Sequence, residues 1–264
     1  MTGFQKLIKL FGQLLAIFLS LIIIFTIIMG IYGIGTFISA RKDNNREDVK
    51  NISCNNYNGY FDEIIINTIY SDLEVVSSNK FKIEANNNIK CKLYNDTIKI
   101  EEKSRWKRNK IVVYLPETSK IKIDTGAGSL YIAKIRAKNI TLSLGAGLTT
   151  IENLNAESAK IDTGAGKLVI EDSTFNDFDF DMGVGSADLS VNVINKADID
   201  AGIGTLKLNL VGLKTDYLLN VSKGIGNIIV DGNDISNDEV IGRGERKIKI
   251  DGGIGTIKVN FSSK

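Results

Sequence analysis

The chain has 264 residues, 43% of them hydrophobic and 24% charged, with a net charge of +2. That is an ordinary globular composition, and the near-neutral balance excludes a basic nucleic-acid binder and an acidic tail. There is no histidine, which removes the commonest general base, the commonest metal ligand and the usual pH switch together.

Between Lys9 and Arg41 the sequence carries no charge, and Leu10 to Ile38 is almost continuously apolar. About 20 apolar residues cross a bilayer core, so residues 10–38 are expected to form one transmembrane helix behind a nine-residue tail. A cleaved signal peptide fits less well, because Ile38 occupies the position that a cut after Ala40 reserves for a small residue. Positive charges lie on both sides of the span. Lys6 and Lys9 precede it, and Arg41, Lys42, Arg46 and Lys50 come after it. Counted alone they favour a cytoplasmic C-terminal region. Against that, a short tail with two lysines is easily retained inside, which favours an extracytoplasmic one. Residues 39–60 read as a polar tether. The two cysteines, Cys54 and Cys91, read as isolated small side chains; a disulfide between them requires an oxidising compartment.

From Phe61 the pattern becomes period two, the signature of half-buried strands. Residues 61–115 are read as a glycine-poor β region capping a glycine-repeat solenoid at 116–264. Within the cap, the basic cluster Lys103-Ser-Arg-Trp-Lys-Arg-Asn-Lys110 reads as a solvated hairpin loop. Contact with a phosphate-rich polymer or anionic lipid is its alternative.

Residues 116–264 repeat one phrase, first spoken as Ile121-Lys-Ile-Asp-Thr-Gly-Ala-Gly-Ser-Leu-Tyr-Ile132. Its glycine pairs fall at 126/128, 145/147, 164/166, 183/185, 202/204, 224/226 and 253/255, the first five at a spacing of 19 residues. A fixed period of this kind specifies a repeat architecture. Calling the residue between the glycines x, large apolar residues stand four places before it (Ile123, Leu142, Ile161, Phe180, Ile199, Val221, Ile250). The alternation is expected to place x itself inside, with a jump of three to the next inward residue marking a corner. Ala at x in early units and Ile in late ones then implies an interior of changing width. The fold class is therefore all-β: a parallel β-solenoid of 19-residue Gly-x-Gly coils. A phosphate loop needs a third glycine and a helix after it, and here a strand comes after each pair.

Three places before x stand Asp124, Ser143, Asp162, Asp181, Asp200, Ser222 and Asp251. By parity they point outwards in a ladder. They are expected to accept N–H bonds from the glycine turn, with a shared hard cation as the alternative.

Ser71-Asp-Leu-Glu-Val75, Ile111-Val-Val-Tyr-Leu-Pro116 and the twice-used Ile-Asp-Thr-Gly-Ala-Gly at 123–128 and 161–166 appear in that order. With the 19-residue period, they make the chain resemble a bacterial adhesin-like, domain-of-unknown-function family of β-strand-repeat proteins, related to cell-wall-stress proteins. The resemblance spans about Phe61 to Phe261. It implies stacked parallel coils, often after one membrane helix, and it supplies no catalytic, cofactor or metal residues. The expectation is a non-catalytic module at the cell envelope, anchored in the membrane, meeting an envelope polymer or protein and no nucleic acid. The alternatives are a cytoplasm-facing accessory of stress signalling and a polysaccharide-active β-helix enzyme. The last coil, ending Phe261-Ser-Ser-Lys264, is expected to leave a bare end through which copies associate.

Overall fold

The computed structural model describes residues 50–51, 57, 59–85, 89–103, 108–236 and 238–262. The transmembrane span at 10–38, the tail before it, Cys54 and the centre of the basic cluster lie outside the described residues. Among the described residues, no helix is long and apolar enough to cross a membrane.

The strands are β1 (Lys50–Asn51), β2 (Glu63–Ser77), β3 (Lys82–Ala85), β4 (Ile89–Tyr94), β5 (Thr97–Glu102), β6 (Asn109–Leu115), β7 (Lys120–Ala133) and β8 (Arg136–Glu152). They continue as β9 (Asn155–Asp200), β10 (Ile203–Val211), β11 (Tyr217–Ser222), β12 (Ile225–Val230), β13 (Asn233–Ile235), β14 (Glu239–Gly242), β15 (Arg246–Asp251) and β16 (Ile254–Ser262). β7 pairs parallel with β8 and β8 with β9, each in a 19-residue register that sets Gly128 beside Gly147 and Gly147 beside Gly166. The expected parallel coils are thus present, stacked in register. Inward residues come in three runs per coil. In one coil these are Leu154 and Ala156, then Ala159 and Ile161, then Leu168 and Ile170, all buried. Phe175, Phe178 and Phe180, all buried in one coil, stack with centroids 4.9 and 6.1 Å apart, and Ala187 of the same coil is buried as well. A separate turn closes each early coil with a non-glycine residue at positive φ: Lys134 at 57°, Asn153 at 54° and Asp172 at 48°.

The stack does not follow chain order at its ends. At the C-terminal end β16 lies between β10 and β12, and β15 between β9 and β11. The last coil in sequence is therefore inserted beneath the coil that precedes it. At the other end β2 lies between β5–β6 and β7, so the 97–115 coil is outermost and the 63–77 coil is second. Each outermost coil is then covered by antiparallel strands: β4 on β5 and β3 on β6 at one end, β14 on β11 and β13 on β12 at the other. These covers are short antiparallel strands, two of them in hairpins (β4–β5 and β12–β13), which blunt an exposed sheet edge. The bare C-terminal end expected from the sequence is overturned, since Phe261 sits in a strand paired on both sides up to Val259. Two residues of the polar stretch, Lys50–Asn51, add β1 to the edge of β4. Cys91, buried in β4, is disulfide-bonded, and the only other cysteine in the chain is Cys54.

The corner also departs from expectation. The residue x faces solvent: Val184 is 55% exposed, Ile203 50%, Ile225 73% and Ile254 50%. At x minus two, Leu144, Met182 and Ala201 are buried, whereas Thr125, Thr163, Lys223 and Gly252 are half-buried. The reason is steric. The second glycine takes positive φ (144° at Gly147), and a Cβ there would stand 1.8 Å from the carbonyl oxygen of Gly128 in the coil below. A Cβ on Gly145 would meet the Gly126 oxygen at 1.9 Å. The chain is bent outwards over the neighbouring backbone, so x crowns the bend rather than filling the core.

Two coils lack the glycines, that of β2 and that of β5–β6. In β2 the corner is Ile69-Tyr70-Ser71, and its outer neighbour is interrupted between Glu102 and Asn109. The buried Glu102 carboxylate stands where neighbouring backbone would be, accepting bonds from Ile69 N (2.6 Å), Tyr70 N (3.0 Å) and Asn109 Nδ2.

Gly147→Ala should lower unfolding free energy by about 3 kcal/mol or more, since it adds strained φ to a backbone clash. Gly232→Ala, at φ 79° with nothing within 4 Å of an added Cβ, should cost about 1 kcal/mol; equal losses in denaturant titrations would refute this account of the corner. Glu102→Ala should cost about 2–4 kcal/mol by stranding buried N–H donors, and Glu102→Gln less. The same titrations measure it.

Candidate interaction surface

Because every coil from β2 onwards repeats the corner in register, x forms a continuous outer column. Ile203 pairs with Val184 on one side and Ile254 on the other, and Ile254 pairs with Ile225. In the opposite direction the column continues through Ala165, Ala146 and Ala127 to Tyr70, itself 39% exposed. It is low and alanine-lined at the middle, and tall and β-branched towards the C-terminal cap. From Val184 to Ile225 it is a contiguous line of exposed large apolar side chains. The change from Ala to Ile that promised a changing interior is a change in the height of an outer ridge.

Beside the ridge runs the aspartate column, outward as the parity predicted. Its members do not hold the glycine turn: among the described residues, no carboxylate of this column accepts a hydrogen bond from a turn N–H. Gly183 N donates instead to the Thr163 hydroxyl of the adjacent coil at 3.2 Å. The carboxylates face lysines and one another. Lys160 Nζ reaches Asp179 at 3.0 Å, Asp162 at 3.5 Å and Asp181 at 3.6 Å, and these carboxylates raise its pKa. Lys249 bonds Asp251 and lies 3.4 Å from Asp198. The Asp251 pKa is lowered by that Lys249 bond, whereas partial burial and the neighbouring Asp181 and Asp251 carboxylates push Asp200 up to about 6. Asp162 is likewise raised, by burial and then by Asp181.

Asp198, Asp200 and Asp251 each offer an oxygen within 4.8 Å of the others. Three oxygens fall short of the six to eight that Ca²⁺ takes, and Lys249 already supplies positive charge to two of them. The arrangement fits a ladder balanced by interleaved ammonium groups better than a metal centre. Asp177, Asp179, Asp198, Lys196, Lys247 and Lys249 also line a shallow groove of about 460 Å³ on this face. The alternation of sign across it leaves no isolated carboxylate pair of the kind glycoside hydrolysis uses.

The sequence therefore located both columns, but it placed x on the wrong side of the sheet. Glu102 carried no signal at all. It lies in a glycine-free segment, and its role depends on a coil interrupted elsewhere.

An all-β stack of in-register parallel coils with a glycine corner defines the class. The chain belongs to the Toastrack family DUF4097, whose family model matches residues 61–258. Among solved structures it is similar to a candidate adhesin from Bacteroides fragilis, with 15% identity, 82% of this chain and 98% of that one covered, and a TM-score of 0.55. A candidate cell adhesion protein from Clostridium sporogenes aligns at 17% identity over 82% and 99% of the two chains with a TM-score of 0.37. A candidate lipid binding protein from Parabacteroides distasonis aligns at 16% over 82% and 97%, with a TM-score of 0.44. No curated protein matches the chain.

Asp200 binds a proton more readily folded than unfolded, so its carboxylate costs stability above about pH 6 and nothing below its ordinary value of 3.8. Asp200→Asn should therefore stabilise the protein at pH 7.5 by about 1 kcal/mol, after discounting for solvent screening, with the gain vanishing at pH 3.5. Thermal melts across that range check it.

Proposed function

We propose that this protein is a non-catalytic interaction module, held at the cell envelope by the apolar span at 10–38 with its coiled β domain on the extracytoplasmic side. The observation that carries the reading is the exposed ridge of Val184, Ile203, Ile254 and Ile225. Soluble proteins rarely leave a contiguous apolar line in water unless something docks on it. The family assignment and the shared fold of the candidate adhesin from Bacteroides fragilis support a binding or structural role. The side of the membrane is supported by the disulfide at Cys91, because disulfides persist in oxidising compartments and are rare in the cytosol. That bond weighs against the cytoplasm-facing alternative, which rests on the positive-charge count alone.

The test uses whole cells expressing the full chain. Added protease should degrade the β domain without lysis, and non-reducing mass spectrometry should find the Cys54 and Cys91 peptides joined. A domain protected until lysis, or two free thiols, sinks the extracytoplasmic reading. A photo-crosslinking residue at Ile203 should capture envelope components in intact cells, and failure to capture any would count against the interaction role.

A further inference from the structure

At the N-terminal cap the cover strand β4 carries one more strand on its outer edge, β1, which is only two residues long. Two residues make a poor strand. Fixing their backbone costs about as much free energy as the few hydrogen bonds they gain return, so β1 has little hold of its own. Its register points to what keeps it in place. Lys50 lies beside Leu93 and Asn51 beside Lys92, so each step forward in the chain moves one step back along β4. The next residue of β4 in that direction is Cys91, which is disulfide-bonded. The only other cysteine, Cys54, comes three residues after Asn51. A disulfide needs Cα atoms about 4.4–6.8 Å apart, and β1 brings the chain to strand spacing from β4, about 4.8 Å, one residue short of Cys91.

We propose that β1 and the Cys54–Cys91 bond form a redox-sensitive clasp, which fastens the polar tether to β4 when oxidised and releases it when reduced. The proposal deepens the reading of an anchored extracytoplasmic module and rests on it. Beyond the clasp the chain is held by the β domain itself. Tyr57 packs against the core, Phe61 is buried, and Asp62 N donates to Asp96 O at 2.8 Å. With β1 in place, the free chain after the apolar span is therefore 39–49; with β1 released it is 39–56. At about 3.4 Å per residue, the longest free connection grows from about 37 Å to about 61 Å. The length of a tether sets which partners a tethered module can reach, so one bond controls how far from the bilayer the ridge can work.

Opening the clasp leaves the rest of the fold standing. β4 is held on its other side by β5 along its whole length, from Ile89 beside Glu102 to Tyr94 beside Thr97. The freed edge carries Lys90 and Lys92, and charged edge strands resist pairing with other chains. The opening step is thiol–disulfide exchange with a dithiol reductant. One thiolate of the reductant attacks a sulfur of the bond, and its second thiolate then displaces the mixed disulfide. Two electrons and two protons pass to the protein, leaving the Cys54 and Cys91 thiols and the oxidised, disulfide form of the reductant.

Trypsin footprints of the full chain in detergent micelles read the clasp directly. In the oxidised protein, cleavage after Lys50 should run at least tenfold slower than cleavage after Arg46, and dithiothreitol should bring the two rates together. Hydrogen exchange should quicken at residues 50–51 and 90–93 on reduction and stay unchanged across 120–200. Cys54→Ser should reproduce the reduced pattern without reductant. Because that variant could misfold, the dithiothreitol experiment on the unmodified chain gives an independent reading. Equal cleavage after Lys50 and Arg46 before reduction would overturn the proposal, as would protection of Lys50 that persists once both thiols have been alkylated. If mass spectrometry finds the Cys54 and Cys91 peptides joined while Lys50 is cut freely, this inference fails and the extracytoplasmic reading stands.

Discussion

Everything in this molecule depends on how closely one coil's backbone can lie on the next at the corner. At Gly147 the space where a Cβ would stand is taken by the carbonyl oxygen of Gly128, and the same approach recurs at Gly166, Gly185, Gly204, Gly255 and Gly226. Two requirements coincide there: a positive φ that side chains rarely adopt, and room for a neighbouring carbonyl. Only glycine meets both. Once the backbone bends outwards over its neighbour, the residue between the glycines has nowhere to go but solvent. The ridge is thus a by-product of the corner. The family of side chains at x is free to vary because packing does not constrain it, and that freedom makes x a site where function can be written.

A stack built this way has no natural end. Each coil leaves a row of unpaired backbone groups, and parallel coils alone would propagate or aggregate. The chain solves this in the same way at both ends, by threading one coil out of order and folding a short antiparallel return over the outermost one. At the N-terminal cap the solution required losing the glycines, and Glu102 supplies the acceptor that a continuous coil would have provided. At the C-terminal cap the β15–β16 coil is clamped between two others, so it closes the sheet rather than framing its edge.

Stacking has an electrostatic cost as well as a packing gain. Repeating an aspartate every coil brings carboxylates to strand spacing, and burial leaves Asp200 reluctant to ionise. Lys160 and Lys249 interrupt the ladder from the adjacent row, which confines the repulsion to the coils between them. The lysine-balanced flank and the apolar ridge of Val184, Ile203, Ile254 and Ile225 thus run side by side along the stack.

The 19-residue glycine period by itself determined the fold: stacked parallel coils, with Ile123, Leu142, Ile161 and Phe180 in one buried column and the aspartates outside. These features come from alternation, which is local and therefore visible in sequence. It could not decide the direction of x, because at a bulge parity is lost and the answer lies in a neighbouring coil's carbonyl. Nor could it decide the order of the coils at either end. The 217–230 and 246–262 segments carry the same pattern and compete for the same edge, and only the capping strands β13 and β14, folded back on the former, settle which one lies outermost. The roles of Glu102 and of the Ala-to-Ile gradient arise from residues far apart in sequence meeting in one stack. Tertiary structure alone could decide them.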